Sequence, residues 1–229
     1  MNIKINTYDD PIIKHSNENV YSPSDDTFLI VDYFKRTITD SSFDGYNLRK
    51  VNYILDMGTG SGFIAIFLKM LANKLSNFNP KIYASDILKE AIICAKQNEI
   101  LNLRLSKIHF IRSNLFKSFP KKLHNRFNII IFNPPYLPAL EENKGSTSSE
   151  KDYSWKGGIM GYESLIKFFN EVLNFLNHDH MIYFITSSRI NKEYIDEKLS
   201  YLGFQSEVIA KKHIFFEDII LNRAVRISS

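Results

Sequence analysis

The chain has 229 residues, 44% of them hydrophobic and 24% charged, with a formal net charge of +4. That balance excludes a disordered or fibrous protein and leaves room for one main domain with a sizeable core. The lysines and arginines are scattered, apart from pairs such as Lys121-Lys122 and Lys211-Lys212, so the positive charge gives little support for nucleic-acid binding.

The first fifty residues open extended, carry a helix over about 24–36 and pass through the polar connector TDSSFDGYNLRK. They read as a short extension, residues 1–50, on a domain spanning 51–229. From there β-rich runs alternate with helix-period segments. NYILD (52–56), KIYAS (81–85), KIHFIR (107–112), FNIIIF (127–132) and MIYFITS (181–187) predict strands, and 63–75, 88–101, 162–176 and 192–202 predict helices. Such alternation argues an α/β fold, a mostly parallel sheet with helices on both faces. QSEVIAKKH and IILNRAVRIS, joined around IFFED, predict two further strands, so that a seven-stranded sheet closes with an antiparallel C-terminal strand. A single cysteine, Cys94, excludes an internal disulfide and a cysteine zinc site. The N-terminus lacks a signal-peptide core and no run reaches the roughly 18 apolar residues of a membrane span, so a cytoplasmic location is expected.

The first chemical signal is DMGTGSGF, residues 56–63, directly after a strand and opening a helix. Glycines at 58, 60 and 62 allow a sharp turn and close approach of a ligand to the backbone, and the helix start offers unpaired N–H groups. The dinucleotide fingerprint places its third glycine one residue later, where Phe63 stands here, so the turn suits a nucleotide-like cofactor without a pyrophosphate. Asp86 ends the next strand, where a carboxylate accepts both hydroxyls of a ribose; the competing role is a cap for the following helix. Asn114, just past the third strand, carries an amide suited to an adenine edge, or to a turn.

FNIIIFNPPY, residues 127–136, runs a buried strand into Asn133, Pro134, Pro135 and Tyr136. Two prolines fix the backbone and leave the preceding carbonyls free. The Asn133 side-chain oxygen and the Pro134 carbonyl can accept both hydrogens of one NH₂ group, while the Tyr136 ring offers a flat surface to a planar group. Such a clamp holds an amide or an aromatic amine and aims its nitrogen at an electrophile, which is catalysis by orientation and electrostatics.

DMGTGSG, Asp86 and NPPY in this order resemble the HemK-type class I S-adenosylmethionine-dependent methyltransferases, which methylate the glutamine of the Gly-Gly-Gln motif in class 1 translation release factors. The resemblance runs from about residue 20 to the C-terminus. VYSPSDDTFLIVDYF (20–34) and WKGGIMGYESLIKFF (155–169) resemble stretches of the archaeal and eukaryotic branch. It implies a Rossmann-like class I methyltransferase domain and S-adenosyl-L-methionine as cofactor. It further implies that Asp56, Gly58, Gly60 and Asp86 bind that cofactor, with Asn114 beside its adenine and Thr27 near its methionine end. Asn133, Pro134 and Tyr136 would clamp the substrate amide. The family usually has Asp where Asn114 stands and Glu where Asp25 stands. The branch also implies a small zinc-binding activator subunit on the strand 107–112, expected at the sheet edge with apolar Ile108, Phe110 and Ile111.

Other features take plainer readings. His178-Asp179-His180 has no third ligand at metal spacing and reads as a turn between a helix and a strand. Cys94 and the phenylalanines 168, 169, 175, 215 and 216 read as core. Residues 137–158, polar and rich in Gly and Ser after the clamp, read as a lid. The leading alternative function is an adenine-N6 methyltransferase, which uses the same clamp on a base but usually needs a recognition domain and basic surface to extract it. A cofactor-binding protein without catalysis would not need the clamp, and a small-molecule methyltransferase would tolerate other residues at Asn133.

Overall fold

The computed structural model of the chain describes residues 8–14, 19–104, 107–136 and 160–227. The chain order is α1 (Asp25–Thr37), β1 (Ser42–Phe43), β2 (Tyr46–Asn47), β3 (Tyr53–Met57), α2 (Phe63–Lys74), β4 (Lys81–Asp86), α3 (Lys89–Leu103), β5 (Ile108–Arg112) and β6 (Phe127–Phe132). It continues with α4 (Glu163–Val172), β7 (Leu176–Ser187), α5 (Lys192–Tyr201), β8 (Phe204–Ile214) and β9 (Glu217–Arg226).

Among the described residues seven strands form one sheet in the order β5-β4-β3-β6-β7-β9-β8, and β9 alone runs against the direction of the other six. This is the α/β sheet that the alternation predicts. The β8–β9 hairpin explains the one reversal: β8 arrives by the crossover helix α5 at the outer edge, and β9 folds back into the gap beside β7. Chain order reverses between β3 and β6, so a crevice opens at their carboxyl ends, where open α/β sheets bind ligands.

The central strands are buried on both faces. β6 has no exposed position, and Ile129, Ile130 and Ile131 are fully buried. Burying each contributes roughly 1.5–3 kcal/mol. Strand periodicity sorts the side chains: Ile54, Ile129, Ile131 and Tyr183 join α1 and α2 in one cluster, while Leu55, Ile130, Ile182 and Phe184 join α4 and α5 in the other. A one-residue slip would exchange the two faces, so the register that places the strand ends is strongly specified.

Four expectations need correction. The connector TDSSFDGYNLRK contains the hairpin β1–β2, turned by Asp44 (φ 50°) and Gly45 (φ 83°), the Asp-Gly pairing that a two-residue turn with positive φ demands. Its Phe43 is fully buried against Phe34, with ring centroids 5.1 Å apart, so the hairpin shares the core of the sheet. Second, the helix predicted over 162–176 ends at Val172, and β7 begins at Leu176. His178-Asp179-His180 therefore lies inside a strand, where the pairing passes from Phe127↔Leu176 to Ile129↔Met181 and leaves extra β7 residues bulged. His180 sits against the backbone there, with Nε2 accepting from Arg226 N at 3.2 Å. Among the described residues no three His, Cys, Asp or Glu cluster as metal ligands.

Third, Phe215 and Phe216 are not core: they form the β8–β9 turn and are 91% and 89% exposed. Fourth, the strand expected over 107–112 begins at Ile108, with Glu99 Oε1 accepting from the Lys107 and Ile108 amides at its entry. It is an edge strand as expected, paired among the described residues with β4 alone. Cys94 is fully buried on α3. Among the described residues no helix is long and apolar enough to cross a membrane.

Candidate active site

The turn after β3 is held from behind by Asp56. Its Oδ2 accepts from Thr59 Oγ1 at 2.6 Å and from Ala65 N, in the first turn of α2, at 3.2 Å. The carboxyl is buried, and burial pushes its pKa up to about 7 against the lowering effect of both hydrogen bonds. Asp56 therefore ties the loop to the helix and does not face the cavity described below. The chain between takes left-handed backbone at Gly58 and Gly60 (φ 69° and 54°), and at Gly62 a Cβ would come within 2.9 Å of Ala95 Cβ. Glycine at 62 thus serves the packing of α2 on α3 rather than a ligand.

Asp86, at the end of β4, takes the helix-start role, one of the two that the sequence left competing, and also braces the glycine turn. Oδ1 accepts from Leu88 N at 2.9 Å, just ahead of α3, and Oδ2 accepts from Gly60 N at 2.9 Å. Burial raises its pKa although these amides favour the charged form. Each oxygen retains acceptor capacity toward the cavity.

The Asn-Pro-Pro-Tyr corner leaves β6 beside Phe132, which packs on Phe168 of α4 at 4.7 Å. Among the described residues, Asn133 Oδ1 is the one buried side-chain polar atom without a hydrogen-bond partner. A buried acceptor of this kind costs about 1–3 kcal/mol unless something pairs with it. Pro135 O accepts from Ser164 Oγ at 3.4 Å. The Tyr136 hydroxyl donates to Asp26 Oδ2 at 3.2 Å, and Tyr21 donates to the same atom at 2.8 Å. Asp26 Oδ1 accepts from Thr27 N and from Thr27 Oγ1. Burial, then the Asp26 charge, raises the pKa of both tyrosines far above the usual value, so each hydroxyl keeps its proton and donates.

These residues share one cavity of about 750 Å³. Thr27, Gly58, Gly60, Asp86, Asn114, Asn133, Pro134, Pro135 and Tyr136 all line it. Of the residues expected to form the site, only Asp56 stands off its wall. Sequence reasoning missed Tyr21, Asp26 and Glu217, which also line it. Asp25 and Asp26 are adjacent on a helix, and about 100° of rotation lets one enter the cavity; Asp25 instead meets Lys212 at 2.7 Å. Glu217 accepts a short hydrogen bond from Ser187 Oγ at the end of β7. The expected lid, 137–158, and the first part of the 155–169 motif lie outside the described residues.

The volume falls in the range of small-molecule sites, and the donor set suits a nucleoside ligand. A carboxylate sits at the second strand end, a backbone turn that admits close approach lies at the first, and an amide, Asn114, follows the third. The orphan acceptor at Asn133 faces a separate demand, an N–H donor brought by a second molecule.

Comparison with known proteins gives the following. Residues 44–148 match the family described as Methyltransferase small domain. A Methanocaldococcus jannaschii protein named as a protein N5-glutamine methyltransferase is 31% identical over 208 residues, covering 91% of this chain and 92% of its own. The Schizosaccharomyces pombe protein named eRF1 methyltransferase catalytic subunit mtq2 is 27% identical over 220 residues, covering 93% and 91%. Among solved structures, the E. cuniculi Mtq2–Trm112 complex superposes with a TM-score of 0.62 at 18% identity, covering 92% of this chain and 99% of that one.

Proposed function

The chain belongs to the protein N5-glutamine methyltransferase family, and from that premise we propose that it transfers a methyl group from S-adenosylmethionine to a glutamine side-chain nitrogen in the Gly-Gly-Gln motif of a class 1 translation release factor. The observation that carries the reading is the buried, unpartnered Asn133 Oδ1 on the wall of the cavity that also holds the glycine turn and Asp86.

The residues present fit the cofactor. Asp86 would take the ribose hydroxyls, Asn114 the adenine edge, the backbone at Gly58 and Gly60 the body of the molecule, and Thr27 the methionine end. When bound, S-adenosylmethionine supplies an electrophilic methyl on a sulfonium centre. Everything else falls to the chain. Asn133 Oδ1 and the Pro134 carbonyl accept the two hydrogens of the substrate carboxamide. The Tyr136 ring holds the planar group flat, and Pro135 keeps the corner rigid. An amide nitrogen is a poor nucleophile because its lone pair is delocalised, so fixing both N–H groups is where rate is gained. Asp56 keeps the turn in shape from behind.

A small activator subunit on β5 fits the same reading. β5 is the sheet edge, with Phe110 and Ile111 half-buried and, among the described residues, no further strand pairing its outer backbone groups. The S. pombe relative is named as a catalytic subunit and the E. cuniculi structure is a complex. We infer a zinc-binding partner that adds a strand there, in the cytoplasm where release factors work. An isolated chain that is soluble, monomeric and fully active would remove the need for it.

The main test is methyl transfer from radiolabelled S-adenosylmethionine to a class 1 release factor, beside a Gly-Gly-Ala variant of the factor and the Asn133→Ala enzyme. Label on the wild-type factor alone, lost with Asn133→Ala, is the expected result. Label on nucleic acid in place of the factor would move the reading to adenine-N6 methylation.

A further inference from the structure

Phe215 and Phe216 make the two-residue turn between β8 and β9, closed by the pair Ile214↔Glu217. They are 91% and 89% exposed, yet Ile214 and Glu217 on either side both line the cavity. The turn therefore stands on the cavity rim. Phe215 has φ +40° at the first central position of the turn, where a positive φ calls for glycine. A bulky ring is held in left-handed backbone and its surface is left in water. Neither turn chemistry nor core packing accounts for that choice, and departures from local rules of this kind cluster at functional positions.

The turn is also braced. Asp218 Oδ1 lies 2.8 Å from His213 Nδ1 across its base, Ser187 Oγ holds Glu217, and Lys212 meets Asp25 at 2.7 Å on the helix that carries Asp26. The position of the two rings relative to Asn133 is thereby set by strands and a helix rather than by a loose loop.

We propose that the Phe215-Phe216 tip is a docking anchor for the substrate protein, seating on apolar surface next to the acceptor glutamine; this rests on the reading of the cavity as a protein-glutamine methylation site. A glutamine side chain that enters the cavity carries its main chain across the rim, and an aromatic pair is the kind of contact that dominates protein interfaces. The neighbouring charges are of both signs, Lys211 and Lys212 before the tip and Glu217 and Asp218 after it. That pattern suits a mixed protein surface better than an anionic membrane, which favours a basic cluster alone.

The test compares wild type with Phe215→Gly/Phe216→Ser, using labelled S-adenosylmethionine and two acceptors, a full-length class 1 release factor and a short peptide containing Gly-Gly-Gln, with the activator subunit present if wild type requires one. Glycine at 215 relieves the positive φ, so the variant keeps its thermal midpoint, and its cofactor affinity stays unchanged. The expected result is a KM for the full-length factor raised at least tenfold, with kcat and the peptide KM unchanged. An unchanged KM for the factor overturns the proposal, as does an equal rise for factor and peptide, which would place the effect in the cavity. Wild-type sedimentation with phosphatidylserine vesicles, lost in the variant while the KM for the factor stays the same, overturns it in favour of a membrane. No transfer to the factor by wild type overturns the methylation reading itself and this role with it, and that failure shows in the control before any variant is compared.

Discussion

Tyr136 donates its hydroxyl to Asp26 across 110 residues of sequence, and Tyr21 donates to the same carboxylate oxygen. The ring proposed to face the substrate amide is thus held by the first turn of α1. Asp26→Ala leaves two half-buried tyrosine hydroxyls without this acceptor and should destabilise the fold by about 1–3 kcal/mol. Transfer should fall more than tenfold in kcat/KM, because a ring free to tilt no longer fixes the amide plane. Tyr21→Phe, which spares the Tyr136 bond, should keep most activity. Thermal unfolding and steady-state kinetics on both variants separate the two effects.

Asn133→Ala should divide activity from stability. On the proposed role it removes the acceptor that would orient the amide, so kcat should fall on the order of 10²–10³-fold, the scale for losing one well-placed electrostatic group. It also removes a buried acceptor that has no partner among the described residues. Unfolding free energy should therefore be unchanged or rise by up to about 1 kcal/mol. Urea denaturation beside single-turnover kinetics reads both; a large loss of stability would show that Asn133 is a structural residue.

Asp56 sets a pH dependence. Its folded pKa, about 7, is raised above the ordinary value of 3.8, so folding favours the protonated carboxyl. The stability it contributes is full below about pH 4 and is lost as pH rises through about 7. Between pH 6 and pH 8 wild type should lose roughly 1 kcal/mol relative to Asp56→Asn, which does not titrate. Denaturant melts at the two pH values check this, and a wild-type-to-variant gap that does not move with pH would place the titration elsewhere.

Asp44 anchors the small hairpin to the sheet. It accepts from Tyr33 at 2.7 Å and from the fully buried Tyr183 at 2.8 Å, and it pairs with Arg223 at 2.7 Å. Asp44→Ala strands those groups and puts alanine at φ 50°. A loss of about 2–5 kcal/mol is expected, summing an unpaired buried hydroxyl and the left-handed penalty. Asp44→Asn, which tolerates the backbone, should cost less, as urea titration would show.

What the sequence determined by itself is local. The alternation of periods 2 and 3.6 sets strand against helix, the glycines at 58 and 60 mark the turn, and Asn133 to Tyr136 mark a corner that no strand or helix could continue. These follow from constraints on a few adjacent dihedrals and one face of one element. The Asp-Gly of the β1–β2 hairpin is equally local, but its signal is weak because the flanking strands are two residues each. Only the tertiary structure decided that Asp26 rather than Asp25 enters the cavity, that Asp56 stands behind the turn, and that Phe215 and Phe216 face water. A side chain's period says which way it points from its own strand or helix, but its surroundings come from elements far away in the chain, such as β9 against α1 or Tyr136 against Asp26. Hydrophobicity alone could not separate a core phenylalanine from one on a hairpin tip, because that difference is made by what packs over it.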